Sequence, residues 1–151
     1  MPKALRGVCE LDDSLMVATV GWGPVQQSSP SLLFAYGTLL PGESRWHFLQ
    51  PFVVDEGRTA SVAGSLFDTG EGYPAAVFGA EGVIHGRVFD LLAARHAEAL
   101  EVLDSVEGGV EGGYRRVVVT TADDEPVWAY AYGGGLRLTP IEGGSWTLRR
   151  R

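Results

Sequence analysis

The stretch of sequence that decides the fold is LLFAYGTL, residues 32–39. Its first five residues are apolar or aromatic, and this pattern predicts a buried β-strand over Leu32–Tyr36. The strand stops at Gly37, which permits a close backbone approach or a positive φ angle. A strand that ends in this way leaves backbone N–H groups unpaired, and such donors suit an anionic or carbonyl oxygen of a small ligand. The sequence therefore predicts a small-molecule binding loop at residues 36–39, called the YGTL loop below.

The second informative stretch is a helix that ends in an acidic residue. Apolar side chains recur at helical spacing from about Leu92 to Val106 or Glu107, and a pair of glycines at 108 and 109 supplies the stop. Glu107 lies four residues after Leu103 and therefore shares the apolar face of the helix. Burial and the negative end of the helix dipole both disfavour a carboxylate there. We therefore expect a raised pKa for Glu107, which suits a group that accepts and returns a proton.

Glu107 has a second interpretation from the sequence alone. A glutamate at the end of a helix also faces solvent or pairs with a nearby cation, here Arg115 or Arg116. Tyr114 is similarly ambiguous. It lies at the start of a predicted strand, where its hydroxyl either faces the ligand site or packs in the core.

The rest of the chain is typical of short strands with few helices. Segments rich in Val, Phe, Tyr and Thr, bounded by glycines or acidic turns, predict further strands. They are residues 59–67, 75–78, 83–89, 114–121 and 127–132, with a short helix over 45–49. One long helix provides too few crossovers for a parallel doubly wound sheet. The predicted fold is mixed α+β, a small barrel-like, mostly antiparallel or mixed sheet with one main helix and short helices.

The domain organisation follows from length and local composition. The 151 residues suffice for one domain with a real core. Residues 1–30 lack periodicity and end in a linker rich in Gln, Ser and Pro, so we expect a mobile N-terminal extension that adds little to the core. An edge strand over Leu15–Val20 is the alternative. We place the domain at residues 31–135 and a C-terminal tail at 136–151.

Composition and charge argue against several classes of protein. A formal net charge of −7 leaves no general basic surface, so nucleic acid is not an expected partner. No stretch approaches the roughly 20 apolar residues of a membrane span, and the first fifteen residues are too acidic for a secretory signal. A single cysteine, Cys9, permits no intrachain disulfide. We expect a cytoplasmic protein without a membrane partner. Metal-ligand spacing and nucleotide-binding glycine patterns are absent, so we expect no metal and no cofactor.

Together, these segments resemble the gamma-glutamylcyclotransferase-like family. The resemblance runs from residue 32 to residue 133 and also includes residues 62–67, 72–76 and 84–89, in the order of the family's pattern. The YGTL form of the loop looks closest to the gamma-glutamylamine cyclotransferase and AIG2-like branch. The resemblance implies a small mixed α/β domain with a compact barrel core. It also implies intramolecular aminolysis, an acyltransferase or lyase type of reaction, that releases 5-oxoproline from a small γ-glutamyl amine or peptide.

The resemblance also implies roles for individual residues. Glu107 matches the catalytic glutamate, the general acid and base of the family. The residues that match the substrate-binding loop are Tyr36, Gly37, Thr38 and Leu39, with Tyr114 as a further substrate-binding candidate. A second nearby carboxylate, Glu111, would weaken the assignment of a single base if it faced inward. The alternative function is a non-catalytic module of the same fold that binds a small anionic metabolite, which needs no carboxylate facing the loop.

Overall fold

The computed structural model describes residues 30–149. The predicted edge strand over Leu15–Val20, the rest of the N-terminal extension and Cys9 lie outside the described residues. The described strands are β1 (Leu32–Ala35), β2 (Arg58–Asp68), β3 (Pro74–Asp90), β4 (Arg115–Thr120), β5 (Pro126–Ala131) and β6 (Thr139–Pro140). The helices are α1 (Trp46–Leu49) and α2 (His96–Gly108), and short 3₁₀ turns cover Gln50–Phe52 and Ala93–Arg95.

The strands form one mixed sheet in the order β4-β5-β1-β3-β2-β6. The β1–β5 pair is parallel and the other neighbouring pairs are antiparallel, which confirms the predicted mixed sheet. The sheet curls until its two ends nearly meet. Val62 of β2 forms an antiparallel bridge with Thr121 after β4, and the Ala122 N–H donates to the Ser61 carbonyl at 2.9 Å. The predicted barrel-like α+β fold is therefore confirmed.

Strand β1 lies between β3 and β5, and a separate core cluster covers each of its two faces. Leu33 and Ala35 pack in a cluster under the helices, and Phe34 and Tyr36 pack in a second cluster on the opposite face. This alternation is the two-residue period of a strand, here with apolar residues on both sides. The apolar run of the sequence therefore marks the centre of the sheet, and it carries the YGTL loop at its end.

The segments predicted as two strands, 75–78 and 83–89, belong to the single strand β3. The pairing register with β2 shifts between Ala63 and Gly64, so residues 79–82 have no paired residue on β2 and bulge out. Gly79 and Gly82 adopt φ angles of +84° and +108°, which favour glycine. In the sequence these glycines predicted a turn between two strands. In the structure they form an irregularity within a single strand.

Helix α2 carries the predicted apolar face. Its buried residues are Ala99, Leu103 and Glu107, at a spacing of four. The helix begins at His96 rather than Leu92 because residues 93–95 form a 3₁₀ turn. The predicted helix at 45–49 corresponds to α1 and continues into a 3₁₀ turn through Phe52.

Residues 136–149, expected as a C-terminal tail, pack onto the sheet. Strand β6 pairs with β2, and the Ile141 N–H donates to the Leu66 carbonyl at 2.9 Å. The Trp146 side chain is only 3% exposed and joins the second core cluster. Within residues 30–149, no helix is long and apolar enough to cross a membrane.

Candidate active site

A small cavity lies between the YGTL loop and the last turn of α2. The residues that surround it come from β1, the YGTL loop, β3, α2 and β5 and from the positions just before α1, β3 and β4; they are Phe34, Ala35, Tyr36, Gly37, Thr38, Leu39, Arg45, Tyr73, Pro74, Glu107, Tyr114 and Tyr130. Every residue that the sequence predicted for the site is in this set. The enclosed space is about 20 Å³, room for about one water molecule.

The YGTL loop lines this cavity and has unpaired backbone donors. The loop folds back on itself, because the Leu40 N–H donates to the Gly37 carbonyl at 3.1 Å and the Arg45 N–H donates to the Thr38 carbonyl at 2.8 Å. Among residues 30–149, the backbone hydrogen bonds do not use the N–H groups of Gly37, Thr38 or Leu39. Such groups remain available to an oxygen of a ligand.

Gly37 is required for close packing rather than for a positive φ angle. A Cβ atom on this residue would lie 2.6 Å from Cγ and 2.7 Å from Cδ of Pro74. Since Pro74 begins β3 and lines the same cavity, the glycine lets the loop approach the sheet.

Replacing Gly37 with Ala is expected to destabilise the protein by about 1–3 kcal/mol, the usual range for overpacking. The measurement is the free energy of unfolding in urea. Gly108→Ala is the matched control, because a Cβ atom there would meet nothing nearer than the Tyr114 carbonyl oxygen at 3.8 Å. Equal stability of Gly37→Ala and the parent protein would contradict the packing argument.

The Glu107 carboxyl group is buried in the cavity wall. Its residue is only 9% exposed, and within residues 30–149 no donor forms a hydrogen bond or ion pair with it. Burial raises the pKa of Glu107 to about 7, and the positive charge of Arg45 opposes this rise. A carboxyl group with this pKa exchanges a proton readily near neutral pH.

The ion-pair interpretation of Glu107 is not what the structure shows. Arg116 instead forms an ion pair with Asp104 at 2.9 Å, and its guanidinium lies 4.2 Å from the centroid of the Trp128 ring. Arg115 is exposed and lies outside the cavity. Glu111 is also exposed, so Glu107 is the carboxylate that lines the cavity.

Tyr114 both packs in the core and lines the cavity. Its hydroxyl donates to the Pro74 carbonyl at 2.7 Å, and its ring meets the Tyr73 ring edge-on at 5.9 Å between centroids. Tyr73 in turn donates its hydroxyl to the Glu111 carbonyl at 2.8 Å. Burial raises the pKa of Tyr114, so its hydroxyl remains a neutral donor. These bonds fix the cavity wall between β3 and the turn after α2.

Tyr36 is directed inward by its own hydrogen bond. Its hydroxyl donates to the Tyr130 carbonyl of β5 at 2.5 Å. Tyr130 also lines the cavity, and its hydroxyl donates to the Asp104 carboxylate on α2 at 2.7 Å. Sequence reasoning missed Tyr130 and Arg45, because neither lies in a motif and both reach the cavity only through the fold.

The described residues offer no metal centre. Among residues 30–149, no group of three His, Cys, Asp or Glu side chains is placed to hold a metal ion. The polar groups that the site offers to a ligand therefore include one carboxyl group, one guanidinium, tyrosine hydroxyls and the backbone donors of the loop.

A comparison with protein-family models matches residues 33–148 to the family described as gamma-glutamyl cyclotransferase, AIG2-like. The chain belongs to this family. The match includes the YGTL loop, α2 and the segment that contains Trp146, so the resemblance found in the sequence is confirmed. The comparison with curated proteins finds no match.

Solved structures with a similar fold include one described as an AIG2-like protein. YkqA from Bacillus subtilis is 29% identical with a TM-score of 0.57, and the alignment covers 78% of this chain and 40% of that one. An uncharacterized protein from Pyrococcus horikoshii is 22% identical with a TM-score of 0.55, covering 76% and 88% of the two chains. An AIG2-like protein from Mus musculus is 17% identical with a TM-score of 0.54, covering 77% and 87%.

Proposed function

We propose that this family member is a cyclotransferase that releases 5-oxoproline from a γ-glutamyl amine or γ-glutamyl peptide. The observation that carries the proposal is the buried Glu107 carboxyl group, which lines one cavity with the unpaired N–H groups of the YGTL loop. A proton acceptor and oxyanion donors on one cavity are what an intramolecular acyl transfer requires. Membership in the family supports the same reaction class.

The first step prepares the nucleophile. The Glu107 carboxylate takes a proton from the substrate's α-ammonium group, which frees a nitrogen lone pair. A carboxyl group with a pKa near 7 is better matched to this transfer than an exposed glutamate. The amine then attacks the γ-carbonyl carbon of the same molecule, forming the C–N bond of a five-membered ring.

The second step develops negative charge on the γ-carbonyl oxygen. We assign the stabilisation of this oxyanion to the backbone N–H groups of Gly37, Thr38 and Leu39, because they have no protein acceptor among the described backbone hydrogen bonds. Because ring closure is intramolecular, the site gains most by holding the amine close to the carbonyl.

The third step expels the leaving amine. Protonated Glu107 gives its proton to the departing nitrogen as the bond from that nitrogen to the γ-carbon breaks. The ring nitrogen loses a second proton through the same carboxylate, and the amine leaves as an ammonium ion. Two protons leave the attacking nitrogen and two reach the departing one, so Glu107 ends as a carboxylate, ready for another cycle.

The experiment that tests the proposal is incubation of the protein with a panel of γ-glutamyl amines and γ-glutamyl dipeptides. We expect 5-oxoproline to be released from at least one class, with saturation kinetics, as measured by chromatography. If the protein binds panel members or 5-oxoproline by calorimetry without turnover, it is the binding module instead. Neither turnover nor binding would overturn both functions.

A further inference from the structure

Arg45 supplies a positive charge to the cavity, and two side-chain contacts and one backbone hydrogen bond fix its position. Its Nη1 donates to the Thr38 hydroxyl at 3.2 Å. Its guanidinium carbon lies 5.1 Å from the centroid of the Tyr73 ring, within the range of a cation–π contact. The Arg45 N–H also donates to the Thr38 carbonyl at 2.8 Å, so backbone and side chain hold the residue against the YGTL loop.

Arg45 has no carboxylate partner among residues 30–149. Other arginines of this part do have one; the pairs are Arg58 with Glu125, Arg95 with Glu98 and Arg116 with Asp104. A guanidinium carries five N–H donors, and Arg45 uses one of them on Thr38. Its remaining donors form the planar fork that binds a carboxylate through two hydrogen bonds. An arginine at the edge of a cavity that has no carboxylate partner and retains free donors is suited to bind an anionic ligand.

The cavity therefore carries two opposite charges that form no ion pair with each other, Arg45 and Glu107. A ligand that matches both carries a cationic and an anionic group close together, as an amino acid does on its α-carbon. We propose that Arg45 binds the α-carboxylate of the γ-glutamyl substrate while the α-ammonium group lies against Glu107. The inference rests on the proposed function, because it names the substrate group that orients the reacting amine.

This contact would orient the substrate as well as bind it. Once the α-carboxylate is held by Arg45, rotation about the α-carbon is restricted and the amine is directed toward Glu107 and the γ-carbonyl. Restricting a substrate to such a near-attack geometry raises the rate of an intramolecular reaction. The protein should therefore prefer γ-glutamyl amides to 4-aminobutanoyl amides, which are identical except that they lack the α-carboxylate.

The test compares γ-glutamylmethylamide with 4-aminobutanoylmethylamide, by release of 5-oxoproline and of 2-pyrrolidone. In Arg45→Gln we expect kcat/KM for the γ-glutamyl compound to fall about 10- to 100-fold, the range for a hydrogen bond to a charged group. The kcat/KM for the 4-aminobutanoyl compound should fall far less. Because both compounds react on the same variant, their ratio cancels any change that Arg45 causes in the basicity of Glu107. Arg115→Gln removes an exposed arginine outside the cavity and should leave both rates unchanged.

An unchanged ratio in Arg45→Gln would overturn the inference. A third substrate, γ-glutamylglycine, carries an additional carboxylate on its leaving group. If Arg45→Gln slows γ-glutamylglycine alone, Arg45 binds the leaving group, and the assignment to the α-carboxylate is wrong.

The two proposals fail in distinguishable ways. If the parent protein releases no 5-oxoproline from any compound, the proposed function fails. Calorimetry with 5-oxoproline and 2-pyrrolidone then tests Arg45 separately, because these molecules also differ by one carboxylate. Weakening of 5-oxoproline binding by about 10-fold or more in Arg45→Gln supports the contact. Equal binding by the parent and the variant, or no binding of 5-oxoproline by the parent, overturns it.

Discussion

Glu107→Gln is expected to lower the turnover of γ-glutamyl substrates by at least about 100-fold, the usual effect of losing a general acid–base group. Glutamine has nearly the size and shape of glutamate, so the cavity wall and the last turn of α2 should persist. It cannot take the proton from the α-ammonium group, and the attacking nitrogen then lacks its lone pair. The measurement is kcat for 5-oxoproline release under saturating substrate.

Glu111→Gln is the matched control for this change. Glu111 lies four residues further along the chain, its side chain is exposed, and its backbone carbonyl accepts the hydrogen bond from Tyr73. Replacing its side chain should leave both turnover and that hydrogen bond intact. A Glu107→Gln protein that releases 5-oxoproline at nearly the parent rate would show that another group is the base.

The sequence contained the two ends of the site because each depends on a local pattern. A buried strand that stops before Gly37 was visible as an apolar run followed by a glycine, and the packing of Gly37 against Pro74 explains why that residue is a glycine. The position of Glu107 on the apolar face of α2 followed from helical periodicity, and the burial of Leu103 and Glu107 agrees with it. Such patterns can be read without knowing the tertiary fold.

Other parts of the site depend on contacts that no local pattern records. Tyr130 reaches the cavity because β5 pairs in parallel with β1, which places two strands nearly a hundred residues apart side by side. Arg45 reaches it because the loop after Thr38 folds back and its side chain lies over Tyr73. The continuity of β3 was missed because Gly79 and Gly82 are typical of turns as well as bulges.

The same burial that suits Glu107 to proton transfer should also make the folded state sensitive to pH. The pKa of Glu107 is about 7 in the folded protein, against an ordinary value of 4.5. Because the folded value is the higher one, the folded state binds more protons between these two pH values, and stability falls as pH rises through them. Ionisation of Glu107 therefore lowers the free energy of unfolding by about 2–3 kcal/mol between pH 5 and pH 8.

The stability of Glu107→Gln relative to the parent protein should therefore increase by about 2–3 kcal/mol as the pH rises from 5 to 8, because glutamine never ionises. Urea unfolding of both proteins at several pH values measures this difference directly and needs no substrate. Glu101→Gln, at an exposed position on the same helix, should show no comparable change. A stability difference between Glu107→Gln and the parent that does not vary with pH would mean that Glu107 is not desolvated in solution. The physical basis for its role as the base would then be lost, because desolvation is what raises its pKa.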